Sequence, residues 1–162
     1  MRVAIIMGSM SDFAKVEPAV SILQKYNVKV DVRCFSAHRS PVELKEFVEE
    51  ASKNGTEVII AAAGMAAALP GVIASMTITP VIGVPISGSN LEGMDALLSI
   101  VQMPPGIPVA TVAINGSKNA AYLALQIIAV KNETVKNELL KEREEMKQKV
   151  LKANEELIAK YN

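Results

Sequence analysis

Val28-Lys29-Val30-Asp31-Val32-Arg33-Cys34-Phe35 runs straight into Ser36-Ala37-His38-Arg39-Ser40-Pro41, and Val42-Glu43-Leu44 follows. The first stretch is apolar and β-branched enough for a strand, and the last opens a helical pattern that reaches about Lys53. Proline at a first helical position, behind a serine cap (Ser40), is an ordinary helix start. Strand, short loop and helix make half of a βαβ unit. The loop then leaves the carboxyl end of a strand, where open α/β sheets keep their ligand sites.

The same unit recurs on both sides. Arg2 to Met7 is a short apolar run, as a strand covered on both faces requires, and after Gly8-Ser9-Met10-Ser11-Asp12 a helical pattern (Phe13, Val16, Val20, Leu23) extends to about Tyr26. Asn54-Gly55 stops the second helix, and Val58 to Ala63 is the third strand. A short helix over Leu69 to Met76, a fourth strand over Thr79 to Val84, a loop over Pro85 to Asn90 and a helix over Gly93 to Val101 follow. Met103 to Pro108 is too proline-rich for either element, Val109 to Ile114 is the fifth strand, and Ser117 to Val130 is an alanine-rich helix. Alternation of this kind predicts an α/β fold of three αβα layers: a flavodoxin-like, five-stranded parallel sheet in the order 2-1-3-4-5, with right-handed crossovers.

The 162 residues are expected to form a single domain, with an α/β core over 1–130 and a C-terminal helix over 131–162. Leu139, Met146, Val150, Ala153, Leu157 and Tyr161 recur at helical spacing along a charge-rich segment. So long a helix is hard to bury on so small a domain, and its far half is expected to pack on another subunit. Half the residues are apolar but only 4% are aromatic, so the core must be built from Ala, Val, Ile, Leu and Met. Lys plus Arg balances Asp plus Glu at 17 each, which leaves no basic field for nucleic acid or an anionic membrane surface. No apolar run reaches the roughly 18 residues of a membrane span. With no secretory signal pattern and a single cysteine, Cys34, a cytoplasmic protein is expected; Cys34 itself reads as a packed thiol.

Three loops carry the candidate chemistry. In Gly8 to Asp12, glycine lets a ligand approach the backbone, Ser9 and Ser11 add hydroxyls, and Asp12 can only accept, which suits the hydroxyls of a sugar diol. The competing reading is that Ser11 or Asp12 simply caps the helix. The second loop brings Arg39, whose fork matches phosphate, together with Ser36 and the chain's one histidine, His38. Imidazole is the side chain whose ordinary pKa, about 6.5, suits proton shuttling near neutrality. One histidine and one cysteine make an N/S zinc site implausible. The third loop, Gly64-Met65-Ala66-Ala67-Ala68-Leu69-Pro70-Gly71, has almost no side-chain function; its backbone could orient a flat ring, with Gly64, Ala66, Ala67 and Leu69 as the contacts.

These stretches resemble class I of the PurE family, the 5-(carboxyamino)imidazole ribonucleotide mutases of purine biosynthesis. The resemblance rests on Met7 to Asp12, Ser36 to Pro41, Ala67 to Gly71, Pro80 to Pro85, Ser99 to Val112 and Asn119-Ala120-Ala121, in order over Met1 to about Val130. It implies a metal-free and cofactor-free isomerase. A carboxylate moves from the exocyclic amine to ring carbon 4 of aminoimidazole ribonucleotide, by decarboxylation, retention of CO2 and recarboxylation. It also implies that Ser9, Asp12, Ser36 and Arg39 bind substrate, that His38 is the general acid/base, and that the chain forms a homo-octamer. The third loop departs from the family's usual Gly-Gly-Ala-Ala-His-Leu-Pro-Gly, with Met65 at the second glycine and Ala68 at the histidine; Ala62 stands where glycine is common. Two other readings stay open: direct carboxylation of aminoimidazole ribonucleotide by CO2, as in class II, and a flavodoxin-like nucleotide-binding module without catalysis.

Overall fold

The computed structural model describes residues 1–161. Strands β1 (Arg2–Met7), β2 (Lys29–Cys34), β3 (Val58–Gly64), β4 (Val81–Ile86) and β5 (Ala110–Thr111) form one sheet in the order β2-β1-β3-β4-β5. Every pairing is parallel, so each strand must be followed by a crossover. Helices α1 (Phe13–Lys25), α2 (Pro41–Lys53), α3 (Leu69–Ala74) and α4 (Met94–Val101) supply them, and α5 (Ser117–Ala129) follows the last strand. The chain steps from β1 outward to β2 and then returns to β3, so its direction reverses between β1 and β3. The three candidate loops leave the carboxyl ends of β1, β2 and β3, which lie side by side.

The period-2 geometry of a strand divides the core in two. Val3, Ile5 and Met7 of β1, with Val58, Ile60 and Ala62 of β3, face the helices α1 and α5. Ala4 and Ile6, with Ile59, Ala61 and Ala63, face α2, α3 and α4. Both faces of β1 and β3 are covered, which is why these strands read as continuous apolar runs rather than alternations. Gly83 lets α4 lie close on β4: a Cβ there would stand 2.4 Å from Cγ2 of Ile100.

Four local expectations are corrected. Cys34 is exposed, because it ends the edge strand β2, whose outer side no other strand covers. The fourth strand runs through Pro85 to Ile86 instead of stopping at Val84. The ladder to β5 ends at Gly83, and on that side the Pro85 carbonyl accepts from the Asn115 N–H (2.8 Å), so the missing proline N–H breaks no strand bond. The fifth strand shrinks to two residues; only Ile82 and Gly83 pair with it, and left-handed Asn115 turns the chain into α5. Ser40 precedes α2 but does not cap it: its hydroxyl accepts from the Ser36 N–H (2.9 Å), which closes the second loop on itself.

The C-terminal segment is one helix, α6 (Glu133–Tyr161), held at its near end by buried Val135 and Leu139. One turn further on, Glu142 accepts from Lys25 Nζ at 2.8 Å, from the Tyr122 hydroxyl at 3.1 Å and from the Tyr26 hydroxyl. Burial alone would raise the Glu142 carboxyl, but these donors outweigh it and hold the group below its usual 4.5. A depressed folded pKa gives stabilisation that is complete above the ordinary value and lost as pH falls through the folded one. Glu142→Gln is therefore expected to cost about 1–2 kcal/mol at pH 7, several degrees of melting temperature. The gap between the two proteins should close as acidification takes the Glu142 carboxyl through its depressed folded pKa. Parallel melting curves check this; an unchanged gap at acid pH would show that the carboxylate charge contributes nothing. Past Glu142 the helix carries Met146, Val150, Leu157 and Tyr161, each between 46% and 70% exposed. No described helix is long and apolar enough to cross a membrane.

Candidate active site

Parallel strands all deliver their following loops to one rim, and here that rim holds a cavity of about 690 Å³. Gly8, Ser9, Ser11 and Asp12 line it from β1; Ser36, His38 and Arg39 from β2; Gly64, Ala66, Ala67 and Leu69 from β3. Every residue singled out from the sequence is thus brought to the same space.

In the first loop, Ser9 caps a single 3-10 turn (Met10–Asp12) by accepting from the Ser11 N–H, and the Ser11 hydroxyl donates to Ser9 Oγ at 2.8 Å. Asp12 occupies the cap position of α1, yet its side chain makes no capping bond. The capping reading therefore fails for both Ser11 and Asp12: Ser9 caps the short turn instead, and the Asp12 carboxylate is left to the cavity. Partial burial raises the Asp12 carboxyl above its usual 3.8, while the Ser11 hydroxyl and the charge of Lys15 pull it back.

The second loop is built by its two serines. Ser36 Oγ accepts from the backbone N–H groups of His38 (3.3 Å) and Arg39 (3.2 Å). Those bonds fix the backbone under the two candidate side chains and leave the Ser36 hydroxyl proton free to donate. Arg39 reaches across to the first loop, where its guanidinium donates to the Gly8 carbonyl at 3.0 Å. One edge of the guanidinium is used in holding two loops together, and the remaining N–H groups stay available to an anion. The His38 ring is exposed to the cavity rather than packed in the core.

The third loop turns through two left-handed residues, Met65 (φ 54°) and Ala67 (φ 39°), with the Ala67 N–H closing on the Gly64 carbonyl at 3.0 Å. Residues with a Cβ cost roughly 1–2 kcal/mol in that conformation, so the loop stores strain where a glycine would store little. The Met65 side chain points outward, 67% exposed, and Ala68 presents only a methyl group to the cavity. Gly64 lets the loop lie close on β4, since a Cβ there would stand 3.1 Å from the Ile86 carbonyl oxygen and the neighbour would have to give by a few tenths of an ångström.

A fourth wall went unread in the sequence. Ser87, Gly88 and Ser89 follow β4 and line the cavity together with Lys15 of α1. The signal was present: β4 lies beside β3, so its following loop must reach the same rim, and Lys15 stands three residues after Asp12, on the same helical face.

The chain matches the AIR carboxylase family model over residues 2–149. It is 54% identical over 146 residues to the N5-carboxyaminoimidazole ribonucleotide mutase of Pyrococcus abyssi, covering 90% of this chain and 84% of that protein. It is 51% identical over 150 residues to the mutase of the same name from Saccharolobus solfataricus, covering 93% and 95%. Among solved structures, Treponema denticola PurE superposes with a TM-score of 0.89 at 27% identity, covering 96% of this chain and 98% of that one.

Proposed function

The chain belongs to the AIR carboxylase family, and from that premise we propose that it is a mutase of purine biosynthesis that converts 5-(carboxyamino)imidazole ribonucleotide to 4-carboxy-5-aminoimidazole ribonucleotide. The observation that carries the residue roles is the meeting of Asp12, His38 and Arg39 in one cavity at the reversal of the sheet. Arg39, with the hydroxyls of Ser9, Ser11 and Ser36, holds the phosphate; Asp12 accepts from the ribose hydroxyls; the third loop lies against the imidazole ring through its backbone. Gly64, Ala66, Ala67 and Leu69 leave room for a flat heterocycle and for CO2.

The proton balance explains why one imidazole is enough. Breaking the N–carboxylate bond releases CO2 and requires a proton on the exocyclic nitrogen. Ring carbon 4 then attacks CO2, and the proton that carbon bears must leave for the ring to regain aromaticity. His38 gives the first proton and takes the second, so it ends as it began and no net acid or base is consumed. No step needs an electron acceptor or a bound metal.

Supplying each substrate in turn tests the reaction. Turnover of the carboxyamino nucleotide without added bicarbonate is the expected result. Turnover that requires bicarbonate and ignores the carboxyamino nucleotide would make the protein a direct carboxylase. Binding of nucleotide with neither activity would leave a non-catalytic module.

The apolar side chains along the far half of α6 support a homo-oligomer, an octamer in the reading by resemblance, with that half packed on a neighbouring subunit. Ending the chain after Glu145 keeps Val135, Leu139 and Glu142 and removes the rest of the helix. The shortened protein should fold yet show a lower mass by light scattering. An unchanged mass would mean that the far half of α6 contributes nothing to assembly. The exposed, unpaired Cys34 thiol suits the reducing cytoplasm, where we place the protein.

A further inference from the structure

Lys15 is a half-buried cation on the cavity wall with no carboxylate in salt-bridge contact among the described residues. Its ammonium instead donates to the Ser87 carbonyl at 2.6 Å and to the Ser87 hydroxyl at 3.2 Å, 72 residues away in sequence. Ser87 is gripped from the other side as well: its N–H donates to the Asn115 side-chain oxygen (3.1 Å), and the Asn115 amide donates to its hydroxyl (2.8 Å). The Lys15 backbone is itself fixed, because the buried Ser117 hydroxyl at the start of α5 donates to its carbonyl at 2.5 Å. Lys15 of α1 and Asn115 ahead of α5 thus hold one turn at the rim from two sides, with Ser117 bracing Lys15. The next residue, Gly88, holds a φ of +124° and would bring a Cβ to 3.8 Å from the Lys15 nitrogen, so the ammonium lies directly under the turn.

We propose that Lys15 is a positioning residue for the substrate: from α1 it pins the Ser87–Ser89 turn as the wall beyond the third loop, and it lends its charge to the Asp12 carboxylate. The inference rests on the ribose role given to Asp12 above. A carboxylate drawn partly out of water receives hydroxyls best when it is fully ionised, and the Lys15 charge offsets part of the burial that opposes ionisation. Arg39 has other work, with one edge of its guanidinium on Gly8 and the rest given above to the phosphate. The charged and titratable groups around this corner are Lys15 itself, His38 and Arg39 across the cavity, and Asp95 of α4, which accepts from Ser89 behind the turn (2.8 Å).

Lys15→Met and Lys15→Arg in the full-length protein test the proposal, with two readouts: steady-state turnover of the carboxyamino nucleotide, and calorimetric binding of ribose 5-phosphate. For Lys15→Met the expected result is a KM about tenfold higher with kcat within about threefold of the parent, the signature of lost uniform binding. Ribose 5-phosphate should bind more weakly by a similar factor, and the acid limb of its binding should move to higher pH. Lys15→Arg should regain most of the loss. Unchanged KM and unchanged ribose 5-phosphate affinity would overturn the proposal, as would a loss that falls on kcat alone or follows the melting temperature. If the parent protein fails to turn over the nucleotide, it is the assigned reaction that fails; the ribose 5-phosphate arm still decides the role of Lys15.

Discussion

Replacing His38 by asparagine is expected to lower kcat by about 10²–10⁴-fold, the range typical of a removed general acid/base, while the nucleotide still binds. Asparagine keeps a similar volume and an N–H donor but cannot pick up and release a proton. The loop should survive the change, because its geometry is set by Ser36 and Ser40 and by the His38 backbone rather than by the ring. Binding of the product nucleotide measured beside kcat separates the two effects. An unchanged kcat would remove the imidazole from the mechanism, and loss of both binding and turnover would make it a structural residue of the loop. The chain has only this histidine, so no second imidazole can conceal the result.

The parts of the architecture that were legible in the sequence are those set by burial on both faces. β1 and β3 lie in the middle of the sheet, take their side chains alternately to two apolar cores, and so print as unbroken runs of Val, Ile and Ala. Once those runs alternate with helical periods, the parallel sheet and its rim follow, and with them the meeting of loops one, two and three. The edges were less legible. Cys34 looks like a core residue in a linear string, but it ends a strand with a neighbour on one side only. Pro85 looks like a loop residue because proline cannot donate; whether that matters depends on how far β5 extends, which no local pattern encodes. The Ser87–Ser89 wall follows from the strand order, but the partner of Lys15 does not. Lys15 takes its meaning from Ser87, and a contact across 72 residues has no periodicity to reveal it. The third loop sits between these cases: its lack of side-chain function was plain, but only the backbone angles reveal that Met65 occupies a left-handed position where family members usually have glycine.

Arg39→Ala is expected to weaken binding of the phosphorylated nucleotide by about 2 kcal/mol, or roughly 30-fold, at the lower end for a charge pair because the guanidinium is exposed. Two contributions combine in that figure. The first is the direct one, a forked pair between the guanidinium and phosphate oxygens. The second is indirect: the bond from Arg39 to the Gly8 carbonyl ties the second loop to the first, so its loss also loosens the geometry around Ser9 and Asp12. The matching ribonucleoside, which lacks the phosphate, separates them, since only the indirect part should weaken its binding. Arg39→Lys keeps the charge but loses the fork, and should recover part of the direct contribution with a steeper dependence on salt. Titrations of nucleotide and nucleoside into all three proteins at two ionic strengths give every comparison. If both ligands lose affinity equally, Arg39 acts as a brace between loops and the phosphate is held elsewhere. If neither changes, the guanidinium has no part in binding. Loss confined to the phosphorylated ligand would make the second loop the phosphate end of the cavity, with the ribose over Asp12 and the imidazole ring toward the third loop.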